Sequence, residues 1–125
     1  MPKRVLIVDD ESHIRLLIEM LLEDFEDDGV ELLMAANGQE GLDMVRDYRP
    51  DLVFLDVMMP VINGFDVCRT VKKEWGMHDV TIVLLTAKGQ RQDFQHGDEV
   101  GADRYMTKPF NPDELLILVA EVLDL

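Results

Sequence analysis

Five short apolar runs, separated by stretches with helical periodicity, constrain the fold of this chain more than any other feature of its sequence. The runs have the length of β-strands and occupy residues 5–8, 32–35, 52–55, 82–85 and 104–106. Apolar side chains at helical spacing predict helices over residues 12–24, 38–48, 64–75, 90–100 and 111–123. A strand–helix unit that repeats in this way predicts a parallel sheet with helices on both faces.

The composition of the runs indicates where each strand lies in that sheet. The first, third and fourth consist mainly of Val, Ile and Leu without polar alternation, as expected for strands that are covered on both faces. The last is short and charged, which is typical of an edge strand. We therefore predict an α/β fold, doubly wound and flavodoxin-like, with five parallel strands in the order 2-1-3-4-5. Residues 1–125 are expected to form one domain.

Local signals refine the helices of this prediction. Ser12 is the expected N-cap of the first helix, and Asn37 with Glu40 reads as a capping box for the second. Pro112 suits the first turn of the last helix. The first helix is expected to bury one apolar face, formed by Ile14, Leu17, Ile18 and Leu21.

The charge of the chain limits its partners. It has 26 acidic and 12 basic residues and a formal net charge of −14. This balance argues against direct nucleic acid binding by this domain, because phosphate backbones are bound by lysines and arginines. The single cysteine, Cys68, is expected in the core, and the absence of a disulfide or a signal peptide predicts a cytoplasmic location. No apolar stretch reaches the roughly 20 residues that span a membrane.

Five side chains of distinct chemistry follow the predicted strands. Asp9 and Asp10 follow the first strand, Asp56 the third, Thr86 the fourth and Lys108 the last. In the predicted order the first and third strands are neighbours at the point where ligands bind, beyond the carboxyl ends of the strands. The three carboxylates, the hydroxyl and the ammonium are therefore expected to lie together.

Such a cluster suits Mg²⁺ and a phosphoryl group. Asp10 and Asp56 are candidate direct ligands, Asp9 acts through water or orients the others, and the Met58 carbonyl is a further oxygen donor. Asp56 is then a candidate nucleophile that forms an aspartyl phosphate. Lys108 and Thr86 would stabilise the charge of the transferred group.

Each of these residues also has a structural interpretation. An Asp-Asp pair after a strand often only begins a helix, and Asp56 before Met-Met-Pro is typical of a turn. Thr86 could cap the next helix, and a lysine before proline is usually exposed to solvent. The functional interpretation is favoured because a single topology brings all of them to one place.

The sequence resembles the receiver domain of two-component response regulators. The matching segments are VLIVDDE at 5–11, DLVFLDVMMPVINGFD at 51–66, VLLTA at 83–87 and GADRYMTKPF at 101–110. The resemblance implies a signalling switch rather than an enzyme, phosphorylated on Asp56 by a histidine kinase or a histidine phosphotransfer protein. It implies a magnesium site and a cis bond at Lys108-Pro109. The implied metal ligands are Asp9, Asp10, Asp56 and the Met58 carbonyl.

The resemblance also implies a switch pair and two positions that set the lifetime of the phosphoryl group. Thr86 and Tyr105 are the implied switch pair, although Tyr105 could be a plain edge-strand aromatic residue. The lifetime positions hold Met58 and Lys88. Because a methionine side chain cannot orient an attacking water, the aspartyl phosphate is expected to be long-lived.

The last helix suggests a partner surface. Residues 115, 118, 119 and 122 form the expected buried stripe, which leaves Leu116, Ile117 and Ala120 on the other side. With Tyr105 they form a predicted output surface for a second copy or an adjoining domain. Alternatively, a terminal helix simply tolerates an odd apolar residue. No lysine or arginine follows Lys108, which argues against the charged-pair dimer of the family's winged-helix members.

Four other classes of protein explain the sequence less well. A haloacid-dehalogenase-type hydrolase needs an aspartate where Met58 stands, and a nucleotide switch needs a GxxxxGK[ST] loop that is missing. A flavin protein of this fold would need an uncharged loop where DDES occurs. An unphosphorylated docking module would not need the complete acidic set.

Overall fold

The computed structural model describes residues 2–87 and 91–125, and within these ranges five parallel strands form one sheet. The strands are β1 (Lys3–Val8), β2 (Val30–Ala35), β3 (Leu52–Asp56), β4 (Thr81–Ala87) and β5 (Arg104–Lys108). Hydrogen-bonded neighbours follow the order β2-β1-β3-β4-β5, and every pair is parallel. The predicted fold class and strand order are confirmed, and β5 is an edge strand as expected.

Helices connect the strands in sequence order. They are α1 (Ser12–Glu26), α2 (Gly38–Tyr48), α3 (Gly64–Arg69), α4 (Arg91–Val100) and α5 (Pro112–Leu123). A π-helical segment, Thr70–Glu74, continues α3, where a single regular helix over 64–75 was predicted. In that segment the Trp75 N–H donates to the Thr70 carbonyl, five residues back, at 2.8 Å. Within the described ranges, no helix combines the length and the apolar character that crossing a membrane requires.

The sheet separates two apolar cores. Because successive side chains of a strand point to opposite faces, Leu6 and Leu84 belong to one core and Val5 and Leu85 to the other. The first core is completed by buried residues of α2, α3 and α4, including Cys68, which is fully buried as predicted. The second is completed by α1 and α5. The helices therefore cover both faces and leave the carboxyl ends of the strands free for a site.

The strands extend further than the apolar runs that predict them. Asp56 is the last residue of β3, Thr86 lies inside β4, and Lys108 is the last residue of β5. Sheet pairing places Asp56 beside Leu85 and Thr86 beside Thr107. Hydrogen bonding of the sheet therefore fixes the backbone of these candidate residues, which would be looser in connecting loops.

The helix starts agree with the sequence at two positions and differ at one. The Asn37 side chain accepts the Glu40 N–H at 2.9 Å, and Asn111 caps α5 ahead of Pro112. The prediction of Ser12 as an N-cap is wrong, because Ser12 is already helical and Glu11 is the N-cap, without a side-chain bond. Asp9 Oδ1 accepts the Glu11 N–H at 2.9 Å, so the helix begins one residue early.

The apolar face of α1 is rotated from its predicted position. Leu17 is 40% exposed, whereas Leu22, which was not included in the predicted face, is 1% exposed. Ile18 is buried as predicted, and Ile14 and Leu21 pack at the edge of the core. The face therefore centres on Ile18 and Leu22, four residues apart, as one helical stripe requires.

The predicted apolar patch on α5 is smaller than expected. Ile117 is 62% exposed, but Leu116 is half-buried and packs against the core that α1 shares. Ala120 is also half-buried. Val122, which was predicted to complete the buried stripe, is only half-buried. Leu123 is buried in its place, because both residues lie about one turn beyond Val119. Ile117 is thus the exposed large apolar side chain of the three residues expected on this surface.

Candidate functional site

Three strand ends bring a lysine against two buried carboxylates. Lys108 Nζ lies 2.7 Å from Asp9 Oδ2 and 3.4 Å from Asp56 Oδ1. Asp9 is fully buried, and Asp56 is 3% exposed. The Lys108 side chain retains 18% of its exposure, so the interpretation of Lys108 as an ordinary surface lysine is wrong. The structure therefore places these three predicted residues together at the carboxyl edge of the sheet.

The pKa of Asp56 reflects an excess of negative charge. Burial and the neighbouring Asp9 carboxylate raise it from 3.8 to about 7, while Lys108 and a bond from the Met58 N–H oppose the rise. That N–H donates to Asp56 Oδ1 at 3.1 Å. A side-chain hydrogen bond with Asp10 also raises the pKa. One ammonium therefore does not balance the carboxylates of this site, and a bound cation would favour the ionised form of Asp56.

Acidic side chains at the start of α1 supply further oxygen donors. One carboxylate oxygen each from Asp9, Asp10 and Glu11 lies within 4.8 Å of the others. Hard oxygen donors of this kind suit Mg²⁺. Glu11 was not among the predicted ligands, although it directly follows the Asp-Asp pair in the sequence. Asp10 and Glu11 are exposed, so water can complete the coordination of an ion there.

Thr86 is a buried hydroxyl without a partner. The residue is fully buried, and within the described part of the chain its Oγ1 has no hydrogen-bond partner. Its position inside β4 rules out a role as a helix cap. Leaving a buried hydroxyl unpaired destabilises a protein, so such groups are notable where they occur. A phosphoryl oxygen arriving at the adjacent carboxyl edge would supply the missing acceptor.

A glycine that sequence reasoning missed shapes the loop after Asp56. A Cβ on Gly64 would lie 2.3 Å from the Asp56 carbonyl oxygen and 2.8 Å from the Val57 Cα. Only glycine allows the start of α3 to approach this backbone so closely. The Asn63-Gly64 pair in the sequence was the available signal. The Lys108-Pro109 bond is cis, as the resemblance implies.

Tyr105 contacts α4 instead of standing free on the edge strand. Its hydroxyl donates to the Phe94 carbonyl at 3.0 Å and to the Asp98 carboxylate. The Phe94 and Tyr105 rings meet edge to face at 4.9 Å between centroids. Burial and the bond to Asp98 raise the pKa of the Tyr105 phenol. Phe94 and Asp98 carried no signal in the sequence, because only the tertiary fold brings α4 to β5.

Met58 is the residue of the two lifetime positions that lies within the described structure. The Met58 side chain is 73% exposed beside the Asp56 carboxylate. Lys88 lies outside the described residues.

Comparison with known proteins identifies the family of this chain. A model of the response regulator receiver domain matches residues 5–120. The chain belongs to this family. Receivers are the phosphorylation-dependent signalling switches of two-component systems, and members of the family interact with histidine kinases. Receivers generally bind Mg²⁺ in an acidic pocket, and this receiver has a cluster of acidic side chains, Asp9, Asp10 and Glu11.

Sequence relatives and a solved structure agree with this assignment. The probable transcriptional regulator ycf27 of Porphyra purpurea is 44% identical over 97% of this chain and 47% of its own length. The phosphate regulon transcriptional regulatory protein PhoB of Pseudomonas aeruginosa is 43% identical over 97% of this chain and 52% of its own length. A response regulator from Chloroflexus aurantiacus has a TM-score of 0.86 at 34% identity, with full coverage of both chains. This receiver thus spans about half the length of the curated relatives it matches.

Proposed function

We propose that Asp56 of this receiver accepts a phosphoryl group from a histidine kinase or a histidine phosphotransfer protein. The position of Asp56, buried 3.4 Å from the Lys108 ammonium and beside Asp9, is the observation that carries the proposal. An Asp56 oxygen attacks phosphorus, the P–O bond forms, and the P–N bond of the phosphohistidine breaks. The imidazole leaves with the electron pair and takes a proton from solvent. The product is an aspartyl phosphate.

Mg²⁺ fits the clustered carboxylate oxygens of Asp9 and Asp10. It would be held by these two residues and Asp56, with the Met58 carbonyl as a further ligand. When bound, the ion supplies positive charge to the phosphoryl oxygens. Burial and the neighbouring Asp9 raise the pKa of Asp56 to about 7 and so favour its protonated form, which is not the nucleophile. The positive charge of Lys108 helps keep the nucleophile ionised.

Lys108 and Thr86 act on the transferred group. The Lys108 ammonium is attracted to the new phosphoryl oxygens, which compete with Asp9 for it. The Thr86 hydroxyl, without a partner in the described structure, can donate to one of those oxygens. Phosphorylation thereby gives both groups a new acceptor.

The proposed output follows from the movement of Thr86. Thr86 and Tyr105 form the switch pair, and their movement changes the surface of α4, β5 and α5, including Tyr105, Leu116, Ile117 and Ala120. A second copy of this chain or an adjoining output domain reads that surface. Direct nucleic acid binding by the receiver is disfavoured by its net charge of −14. The receiver acts on itself through phosphorylation and slow dephosphorylation, and its cytoplasmic location stays a prediction.

Labelling with a small acyl phosphate in the presence of Mg²⁺ tests the proposal. The wild type is expected to gain one phosphoryl group, measured by intact mass spectrometry, and Asp56→Asn none. Asp66→Asn, at an exposed acid beyond the site, is the control and should label like the wild type. Labelling of Asp56→Asn at the wild-type rate would overturn the assignment. Sustained turnover of phosphomonoesters would indicate a hydrolase instead.

The lifetime of the aspartyl phosphate is a second test. The exposed Met58 side chain offers no donor or acceptor that orients water, so the phosphoryl group should persist. Met58→Asn is expected to hasten dephosphorylation about tenfold, which is below the roughly 100- to 10,000-fold effect of a positioned general base because an amide only orients the water. The decay of the labelled mass after removal of the acyl phosphate measures it, with Met58→Leu as the matched control. Equal decay of the Asn and Leu variants would refute the role of this position.

A further inference from the structure

Two groups of α4 bind the Tyr105 hydroxyl. The Asp98 carboxylate accepts the phenol proton, which the Phe94 carbonyl shares at 3.0 Å. A phenol has one proton, and an ionised carboxylate is the stronger of the two acceptors. Asp98 therefore contributes a stronger directed contact than a neutral acceptor at this position would provide.

The position of Asp98 is unfavourable for the helix itself. It lies in the last turn of α4, where the helix has no basic residue. The C-terminal end of a helix carries partial negative charge, so an acidic residue there destabilises it. Glu99 shares this unfavourable position, but its side chain is not among the groups that contact Tyr105. Asp98 and Glu99 thus form a natural pair for comparison.

Gly97 gives the ring its place against α4. A Cβ at this position would lie 2.5 Å from Tyr105 Cε1 and 2.9 Å from Tyr105 Oη. Glycine inside a helix lowers helix stability relative to alanine. Two consecutive residues of α4 are therefore poor choices for a helix and good choices for holding this ring. Local rules that are broken together often mark a functional requirement.

The sheet register relates the ring to Thr86. Leu84 pairs with Tyr105 across the β4–β5 ladder, and Thr86 pairs with Thr107. Residues two apart on a strand share a face, so Tyr105 and Thr86 lie on the same side of the sheet as diagonal neighbours. Thr86 Oγ1 lacks a partner within the described residues, while the Tyr105 hydroxyl is bound to α4. The two switch residues are therefore adjacent, and only one of them is anchored.

We propose that Asp98 is a positioning residue that holds Tyr105 against α4 and thereby opposes the phosphorylated state. This inference rests on the proposed function, since it assumes that Tyr105 leaves α4 when Thr86 moves. A ligand that requires the moved ring must first break the bond to Asp98, which reduces its apparent affinity. Loss of the Asp98 carboxylate should therefore strengthen binding of any mimic of the phosphoryl group.

Beryllofluoride binding in the presence of Mg²⁺ tests this inference. Asp98→Ala is expected to bind beryllofluoride about three- to tenfold more tightly than the wild type, the range that corresponds to one partly exposed hydrogen bond. Asp98→Asn retains an acceptor oxygen and should fall between the two. Glu99→Ala removes the same charge from the same helix turn and should bind like the wild type. Equal affinities for Asp98→Ala and Glu99→Ala would overturn the proposal.

A spectroscopic readout reports the ring directly. With fluorotyrosine incorporated, ¹⁹F NMR should show the Tyr105 signal shifted in Asp98→Ala without any ligand, while Tyr48, on α2, stays unchanged as an internal reference. In a Tyr105→Phe background the effect of Asp98→Ala on beryllofluoride affinity should disappear. Persistence of the effect there would show that Asp98 acts on α4 alone and would overturn the proposal.

Failure of the underlying function gives a different result. If the wild type binds beryllofluoride no better than Asp56→Asn does, the phosphoryl-acceptor role of Asp56 is wrong. The ¹⁹F signal of Tyr105 in metal-free protein would then still decide whether Asp98 holds the ring. If beryllofluoride binds at Asp56 but the Asp98 and Glu99 variants have equal affinities, only the proposed role of Asp98 in holding Tyr105 is rejected.

Discussion

Two lysines, one at each end of the sheet, make ion pairs of equal length in opposite electrostatic settings. At the amino end, Lys72 Nζ lies 2.7 Å from Asp103 Oδ2, and at the carboxyl end Lys108 Nζ lies 2.7 Å from Asp9 Oδ2. Lys72 also donates to the Val80 carbonyl, and the same Asp103 oxygen accepts the Ile82 N–H at 2.8 Å. At the amino end one cation therefore pairs with one carboxylate, and the two backbone groups that contact them have hydrogen-bond partners.

The carboxyl end lacks this balance. Lys108 meets both Asp9 and Asp56, and the pKa of Asp56 rises to about 7 because burial and Asp9 outweigh the lysine. The buried Thr86 hydroxyl also lacks a partner in the described structure. The comparison teaches that distance alone does not separate a structural ion pair from a functional one. The carboxyl end, where the proposed site lies, retains uncompensated charge and, within the described residues, a buried donor without a partner.

Removing the structural lysine should produce the largest change in stability. Lys72→Ala is expected to lower the free energy of unfolding by about 3–4 kcal/mol, because it deletes a buried side chain and leaves the Val80 carbonyl without its donor, while the Asp103 side chain, which is 38% exposed, remains partly hydrated. Urea denaturation measures the change. Lys73→Ala, at the exposed neighbour, should stay within about 0.5 kcal/mol of the wild type. Similar losses for the two variants would remove the distinction drawn for the amino end.

Neutralising one aspartate at each end should change stability in opposite directions. In metal-free protein above pH 7, Asp56→Asn is expected to raise the free energy of unfolding by about 2–3 kcal/mol, since it removes a charge that burial and then the repulsion with Asp9 disfavour. Asp103→Asn should lower it, because Lys72 loses a charged partner. A loss of stability in both variants would show that the carboxyl end is as balanced as the amino end.

The pH dependence of stability should show the unfavourable Asp56 charge as a gradual change per pH unit. The raised pKa means that folded Asp56 keeps a proton which the unfolded chain releases, so its contribution to stability falls as pH rises from about 4 to 7. The slope is at most about 1.4 kcal/mol per pH unit. The difference between wild type and Asp56→Asn in metal-free buffer isolates it. Saturating Mg²⁺ should reduce this difference at pH 7, and identical pH profiles without Mg²⁺ would contradict the raised pKa.

Much of the candidate site could be predicted because it depends on strand order. The apolar runs fix which residues end each strand, and the order 2-1-3-4-5 then brings Asp9, Asp56 and Lys108 together. The strand order is therefore sufficient to predict that Lys108 lies near these two carboxylates. In contrast, the raised pKa of Asp56 depends on how deeply the sheet and the loop bury it, which the sequence does not state.

Contacts between distant helices and strands were not predictable. The Lys72–Asp103 pair joins the π-helical segment to the residue before β5. Asp103 belongs to the GADRYMTKPF segment, but nothing in the sequence pairs it with Lys72. The bond from Tyr105 to Asp98 likewise depends on how α4 packs on the edge strand. The predicted N-cap at Ser12 failed because the Asp9 side chain, from the preceding strand end, binds the Glu11 N–H.

The sequence by itself determined the parallel sheet, its strand order and the acidic set, because strand periodicity and chain order specify which residues reach one edge. Only the tertiary structure decided which lysine is balanced, which hydroxyl lacks a partner and where the Tyr105 ring rests. These properties depend on burial and on side chains that approach from other elements. Their energies arise from removing water around charges and polar groups, and folding alone sets how much water remains.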